Sequence, residues 1–289
     1  MSAESRAAGE PLSILTVHAH PDDESSKGPG TIRRLADEGV RTTLVCCTGG
    51  EAGDILNPAM DRPEVVDNLG EVRRRELQRA ADIIGYGEII SLGYRDSGMP
   101  DSEHNKHPEA FANIDTDVAV ARLVEIIRRV RPQVIVTYPE DQSRYPHPDH
   151  LKVTEISLPA WDLAGDPDAF PELGEPWVPL KLYCSMWSRR RMVLVHEKFA
   201  ELGLESPYDE KWFDRPDQDH HITTSVEVDN SIRRLALLAH ETQIDPTSPF
   251  WFGLPDHVQD AIHPFDDYML MRSRIDTTMP ETDLFAGLR

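Results

Sequence analysis

Apolar residues fall along this chain in two rhythms. Short runs that are apolar at nearly every position, Leu12 to His18, Arg41 to Thr48, Glu88 to Leu92 and Gln133 to Tyr138, read as strands buried on both faces. Between them, Thr31 to Glu38, Asn68 to Ile84 and Asp117 to Val130 repeat near helical spacing, as at Leu69, Val72, Leu77, Ala80 and Ile84. Gly39, Gly85 and Pro132 stop these helices. The alternation predicts an α/β fold, a Rossmann-like and mostly parallel sheet with helices on both faces. Beyond it, Leu182 to Trp187 and Ile222 to Val228 read as strands, and Met192 to Leu202 and Ser231 to Thr242 as helices. The Pro- and acid-rich stretches 162–179 and 206–219 read as long loops. The expectation is a single domain over residues 1–289 with a carboxy-terminal elaboration after about residue 180.

A parallel sheet binds ligands beyond the carboxyl ends of its strands, at the crevice where the strand order reverses. Four tips qualify: His18 to Glu24, Thr48 to Asp54, Gly93 to Gly98, and Pro139 to His150. No G-x-G-x-x-G follows the first strand, which disfavours a dinucleotide. The first tip instead reads His18-Ala19-His20-Pro21-Asp22-Asp23-Glu24, and the last ends Tyr145-Pro146-His147-Pro148-Asp149-His150. A catalytic zinc takes three nitrogen or oxygen ligands and keeps a position for water; two histidines with one carboxylate form such a set. Neither tip supplies three ligands comfortably, but the two together do. An all-oxygen magnesium or calcium site has no need of the histidines. Either motif alone is as well read as a surface His-Pro-Asp, but both at predicted strand tips favour a site. His104, His107, His196, His257 and His263 read as solvated or structural, and the adjacent His220 and His221 lack an acidic frame.

Composition narrows the partners. The net charge of −21, from 51 acidic against 30 basic residues, repels phosphate backbones and anionic lipid, so neither nucleic acid nor membrane is expected as a partner. No apolar run approaches the ~20 residues of a membrane span. Met1 to Pro11 lack the basic-then-apolar pattern of a secretion signal. Cys46, Cys47 and Cys184 show no CxxC spacing, which argues against a disulfide framework and a thiolate zinc site. Cys46 and Cys47 lie in a strand-like run and read as small buried residues. The cytoplasm is the natural compartment.

His20-Pro21-Asp22-Asp23-Glu24 together with His147-Pro148-Asp149-His150 resembles the LmbE-like, or N-acetylglucosaminyl-phosphatidylinositol deacetylase, superfamily. Its members are zinc enzymes that remove acyl groups from the 2-amino group of glucosamine. Within it, Ser25 to Gly28, Thr48 to Met60 and Tyr94 to Met99 are similar to the mycothiol-linked amidases. These hydrolyse the amide joining a cysteinyl S-conjugate to glucosaminyl-inositol and release a mercapturic acid. The resemblance implies Zn2+, with Fe2+ accepted by the same ligands, held by His20, Asp23 and His150. It implies Asp22 as general base, His147 as general acid or electrostatic stabiliser, and Asp149 as the group that keeps His147 charged and oriented. Tyr145 stands where the family has a tyrosine that polarises the carbonyl. The small-molecule partner is then a glucosaminyl-inositol thiol conjugate. Lys27, Arg73 and Asp96 are the candidate substrate contacts, and Glu24 is expected to brace the turn. A deacetylase of an N-acetylglucosaminyl-inositol precursor shares every motif. So does an amidase acting on a mycothiol adduct in lincosamide antibiotic assembly. A non-catalytic metal- or sugar-binding protein has no need of Asp22 and His147. Oligomeric state stays open at this point.

Overall fold

Strands β1 (Ser13–His18), β2 (Arg41–Thr48), β3 (Glu88–Tyr94) and β4 (Val134–Thr137) form where the apolar runs predict them. The computed structural model describes residues 11–143 and 145–289, so the amino-terminal segment read for a secretion signal lies, except for Pro11, outside the described residues. With β5 (Lys181–Met186), β6 (Thr224–Glu227) and β7 (Phe265–Ser273), the strands make one seven-stranded sheet in the order β3-β2-β1-β4-β5-β7-β6. Pairing is parallel from β3 through β5 and antiparallel at β5–β7 and β7–β6. The helices of the first half are α1 (Asp23–Ser26), α2 (Pro29–Asp37), α3 (Pro63–Val66), α4 (Leu69–Ile84) and α5 (Thr116–Val130). The second half adds α6 (Pro148–Leu163), α7 (Arg189–Glu201), α8 (Glu210–Phe213), α9 (Ser231–Ala239), α10 (Pro249–Phe252) and α11 (Asp256–Ala261). No helix among the described residues is long and apolar enough to cross a membrane.

Successive side chains of a strand point to opposite faces, and the core divides accordingly. Leu15, Val17, Val45 and Cys47 pack with Leu123 and Ile127 of α5 and Val153 and Ile156 of α6. Ile14, Leu44 and Cys46 pack on the other face with Ile32, Leu77, Ala80 and Ala236 of α2, α4 and α9. Cys46 and Cys47 therefore face different layers, and all three cysteines are buried and unpaired.

The short helices α3, α8, α10 and α11 were not anticipated, α8 lying inside the stretch 206–219 read as a loop, and neither were two longer elements. α6 buries the polar Asp149, His150, Lys152, Thr154 and Ser157 beside Val153, Ile156, Ala160 and Trp161 and leaves Leu151 exposed, which erases the apolar stripe by which a helix is recognised. Pro159 inside it hides the pattern further. β7 carries the adjacent acids Asp266 and Asp267, both buried, in a stretch that otherwise reads as a strand. Asp266 accepts from the Thr31 N–H at 2.8 Å and pairs with Arg233; Asp267 meets His263 Nε2 at 2.8 Å.

The chain runs outward from β1 to β3, then returns past β1 to β4 and β5, so a crevice opens between the carboxyl ends of β1 and β4. At the other end of the sheet the tail is pinned by a buried pair, Lys181 Nζ to Glu281 Oε1 at 2.5 Å, with Thr224 Oγ1 donating to Glu281 Oε2 at 2.9 Å. Neither charged side chain is exposed. Lys181→Met strands the carboxylate and is expected to lower the unfolding free energy by about 3–5 kcal/mol. Adding Glu281→Gln should restore much of that loss. Urea denaturation compares the proteins, and a single variant within 1 kcal/mol of wild type, on the order of an exposed pair, would show the pair to be dispensable.

Candidate metal centre

β1 ends at His18, and the chain turns at once into α1. The turn places Asp22 at φ 106°, ψ −25°, a backbone state that glycine enters freely and other residues only under constraint. The Asp22 N–H donates to Glu24 Oε2 at 2.9 Å. Arg73, delivered by α4, donates from Nη2 to Asp22 Oδ2 at 2.9 Å and to the Pro21 carbonyl at 2.6 Å. Its Nη1 reaches the Gly50 carbonyl, beyond β2, at 2.5 Å. A Cβ at Gly50 (φ 68°) or Gly53 would stand 2.4 or 2.6 Å from this guanidinium, so the glycines make its room. Arg73 is 3% exposed, and both terminal nitrogens are spent on the protein. It clamps two strand tips and also borders the cleft, where its helix register had suggested a substrate contact.

His20 stands among three buried carboxylates. Its Nε2 lies 3.1 Å from Asp149 Oδ2 and 3.6 Å from Asp96 Oδ1, and its Nδ1 is 3.6 Å from Asp23 Oδ2. His150 Nε2 lies 3.4 Å from the same Asp23 oxygen. His20, Asp23 and His150 each offer one ligand atom within 4.8 Å of the others, and so do His20, His147 and Asp149. The first group borders the cleft, whereas Asp149 is fully buried behind His20. A carboxylate on the far nitrogen of a ligating imidazole orients the ring. Asp149 serves His20 in this way and also accepts from Ser97 N–H at 3.0 Å and from Ser97 Oγ.

Asp149 also reaches His147, a carboxylate oxygen standing within 4.8 Å of a ring nitrogen, while the direct hydrogen bond between the two residues is made elsewhere. The contact runs through the backbone: His147 caps α6, and its Nδ1 accepts the Asp149 N–H at 3.2 Å. A residue two places after the cap presents its N–H to the capping side chain, not its carboxylate. Burial, with His20 and His150 nearby, pushes the pKa of His147 down to about 4, away from the charged ring expected for it. A neutral ring that accepts at Nδ1 carries its proton on Nε2.

The charge balance favours a cation. Burial alone would lower the pKa of His20, yet its bonds to Asp149, Asp23 and Asp96 raise it well above 6.5. Burial also raises the carboxyl of Asp22 against the pull of Arg73. Two imidazoles and a carboxylate converging where acid is in surplus suit a divalent ion that accepts nitrogen ligands.

The remaining candidates gather around this point. The Lys27 ammonium rests on Asp23 Oδ1, 5.3 Å from the centroid of the Tyr138 ring. Asp96 accepts from the Ala52 and Gly98 N–H groups at 3.2 and 2.8 Å, tying the loops beyond β2 and β3 together. Tyr145, 54% exposed, stacks on His147 with centroids 5.9 Å apart. Glu24 braces the turn as expected, and its partner escaped the sequence: His240 Nε2, fully buried after α9, lies 2.6 Å from Glu24 Oε1. Tyr138 was also missed as a support; its hydroxyl accepts the Ala19 N–H at 3.1 Å. Neither sits in a local motif. Only Tyr138, ending a strand beside the second motif, carried any positional signal. The site opens into a cleft of about 730 Å³.

A cation-seeking cluster at the switch point of an α/β sheet, flanked by a carboxylate and a neutral imidazole, is the equipment of a hydrolase. The chain belongs to the PIG-L family, the GlcNAc-PI de-N-acetylases, whose model matches residues 15–161. It is 42% identical over 289 residues to the mycothiol S-conjugate amidase of Streptomyces coelicolor, covering 96% of this chain and 98% of that one. It is 38% identical over 303 residues to a 1D-myo-inositol 2-acetamido-2-deoxy-alpha-D-glucopyranoside deacetylase of Streptomyces scabiei, covering 97% and 92%. The fold matches N,N'-diacetylchitobiose deacetylase of Pyrococcus horikoshii with a TM-score of 0.60 at 16% identity, over 91% of this chain and 84% of that one.

Replacing His20, Asp23 or His150 by Ala leaves two ligands for an open site, and metal content and turnover should fall together. Elemental analysis of the purified variants checks this. Full metal occupancy in any of them would remove that residue from the ligand set.

Proposed function

We propose that this protein is a zinc-dependent amidase that cleaves the amide between a cysteinyl S-conjugate and glucosaminyl-inositol, releasing a mercapturic acid, with Fe2+ as an alternative ion. The observation that carries the reading is the buried His20–Asp23–His150 group, with Asp22 and His147 beside it at the head of a large cleft. Identity of 42% to an amidase of this kind over nearly the whole chain supports the substrate class. The cytoplasm is the proposed compartment, in keeping with three unpaired cysteines. One domain is the proposed organisation, since β5, β7 and β6 extend the same sheet.

Amide hydrolysis needs a nucleophile at neutral pH, a counter-charge for the oxyanion and a proton for the departing amine. A bound zinc lowers the pKa of water towards ~7 and polarises the carbonyl. The remaining steps fall to the chain. Asp22, held by Arg73 and by its turn, accepts the proton of the attacking water at its carboxylate. His147 carries its proton on Nε2, because helix α6 occupies Nδ1, and donates a hydrogen bond from there to the developing oxyanion, while the proton that Asp22 took from water passes to the leaving nitrogen. Tyr145 offers its hydroxyl to the carbonyl from the rim. Lys27 stands four residues beyond Asp23 and meets the acyl side, where a cysteinyl group presents more acceptors than an acetyl group.

A deacetylase reading keeps some support, since deacetylase relatives reach 38–39% identity over similar lengths and 41% over 262 residues. Amine release measured in parallel on a mycothiol bimane conjugate and on N-acetylglucosaminyl-inositol decides between them. Faster cleavage of the conjugate is expected, and preference for the acetylated precursor would overturn the amidase assignment. Asp22→Asn and His147→Ala should retain metal and lose roughly 10²–10⁴ in kcat. Near-wild-type turnover in either would withdraw its role. Lys27→Ser should shift the ratio of kcat/KM values away from the conjugate by roughly 10- to 150-fold, the worth of one charge-assisted hydrogen bond. A constant ratio would show that Lys27 does not read the acyl group.

A further inference from the structure

The two sides of the cleft differ in chemistry, and the strand order explains why. β2 and β3 lie to one side of β1, and their tips bring Ala52, Asp54 and Asp96. β5 lies on the other side, beyond β4, and leads directly into Met186 and Trp187. The ligand group from β1 and the head of α6 sits between them. A linear amide centred there extends one half along the side of Asp54 and Asp96, where Leu56 and Met99 also border the cleft, and the other along an aromatic wall.

The apolar wall is assembled from three separate segments. Trp187 follows β5, Trp212 lies in α8, and Phe250 and Trp251 lie in α10; all four rings are half-buried and border the cleft. Trp187 stacks on Phe250 at 6.1 Å with 14° between planes, and meets Trp251 edge-on at 5.8 Å. Phe250 also contacts Trp212 at 6.0 Å, and the Arg215 guanidinium lies 4.4 Å from the Trp212 ring centroid. A small core lies beneath, made of Met192, Val195, Phe199, Tyr208 and Leu254, with Trp212 and Phe250 packed against it. Trp187 and Trp251 pack on Phe250 and border the cleft beside Met192 of that core. Large rings left half-open in a concave site favour a flat apolar ligand.

We infer that Trp187, Trp251, Phe250 and Trp212 form a subsite for the substituent carried on the sulfur of the conjugate, and that it selects planar aromatic groups over small alkyl ones. The inference rests on the amidase reading above. Sugar and inositol hydroxyls go to the side of Asp54 and Asp96, which leaves the sulfur side for the rings. Lys27 agrees with this polarity, since Ser26, Lys27 and Gly28 share a small cavity with Ser185 to Ser188 on the β5 side.

The test compares S-benzyl and S-methyl conjugates of the same glucosaminyl-inositol cysteine. Burying one aromatic ring predicts a wild-type preference for S-benzyl of roughly 10- to 100-fold in kcat/KM, expressed mainly in KM. Trp251→Ala should bring that ratio towards one, and Trp251→Phe should hold most of it. Equal wild-type values for the two conjugates would overturn the subsite, and this arm needs no variant to fold. Should neither conjugate release amine, the amidase reading falls, and binding alone judges the wall. Saturable quenching of tryptophan fluorescence by S-benzyl-N-acetylcysteine, weakened at least tenfold in Trp251→Ala, would support it. No quenching in the wild type would overturn it.

Discussion

A carboxylate taken out of water must find donors or a cation, and five acids crowd the turn that follows β1. Each draws its partners from a different part of the chain. Asp22 has Arg73 from α4, Asp23 has Lys27, and Glu24 has His240 from beyond α9. Asp96 has the N–H groups of two loops, and Asp149 has Ser97 and His20. The polar network thus sets where the loops lie, and the apolar layers beneath fix only the strands that carry them. An acid removed from this set releases a loop along with a charge.

That division also separates what was legible in the sequence from what was not. β1, β2 and α4 were readable because two-faced burial and one-sided burial leave different periods. The convergence of His20, Asp23 and His150 was readable because they sit in two short motifs at strand tips, and the fold rule brings those tips together. α6 was hidden by polar residues on its buried side and an exposed leucine, and β7 by paired acids, of which Asp266 finds its partners far away in sequence. The clamp by Arg73 depends on Gly50 and Gly53 leaving space, which no local pattern announces. The role of Asp149 and the lowered pKa of His147 arise from helix capping, burial and neighbouring rings brought in by another strand tip, so a motif carries them only in part.

The segment after α9 links the two ends of the cleft. Its first residues are sewn to the β2 side: the Thr242 carbonyl accepts from the Leu56 N–H at 2.8 Å, and Gln243 Nε2 donates to the Asp54 carbonyl at 3.0 Å. Thr242 is in turn tied to Glu76 of α4 by two bonds of 2.9 and 2.6 Å. A few residues later the same segment supplies Phe250 and Trp251 to the β5 side. Changes in this one strap are therefore felt at both walls, and loop exchange between relatives would alter recognition of both halves of a substrate together.

The backbone at Asp22 sets two selective pressures against each other. A residue other than glycine held at φ 106° carries strain of order ~1–3 kcal/mol, a sizeable share of the stability of an ordinary domain. Selection for thermal stability alone would drift this position towards glycine, whereas selection for turnover would hold the carboxylate in place. The identity of residue 22 in a library sorted first for folding and then for activity would therefore record which of the two pressures was acting.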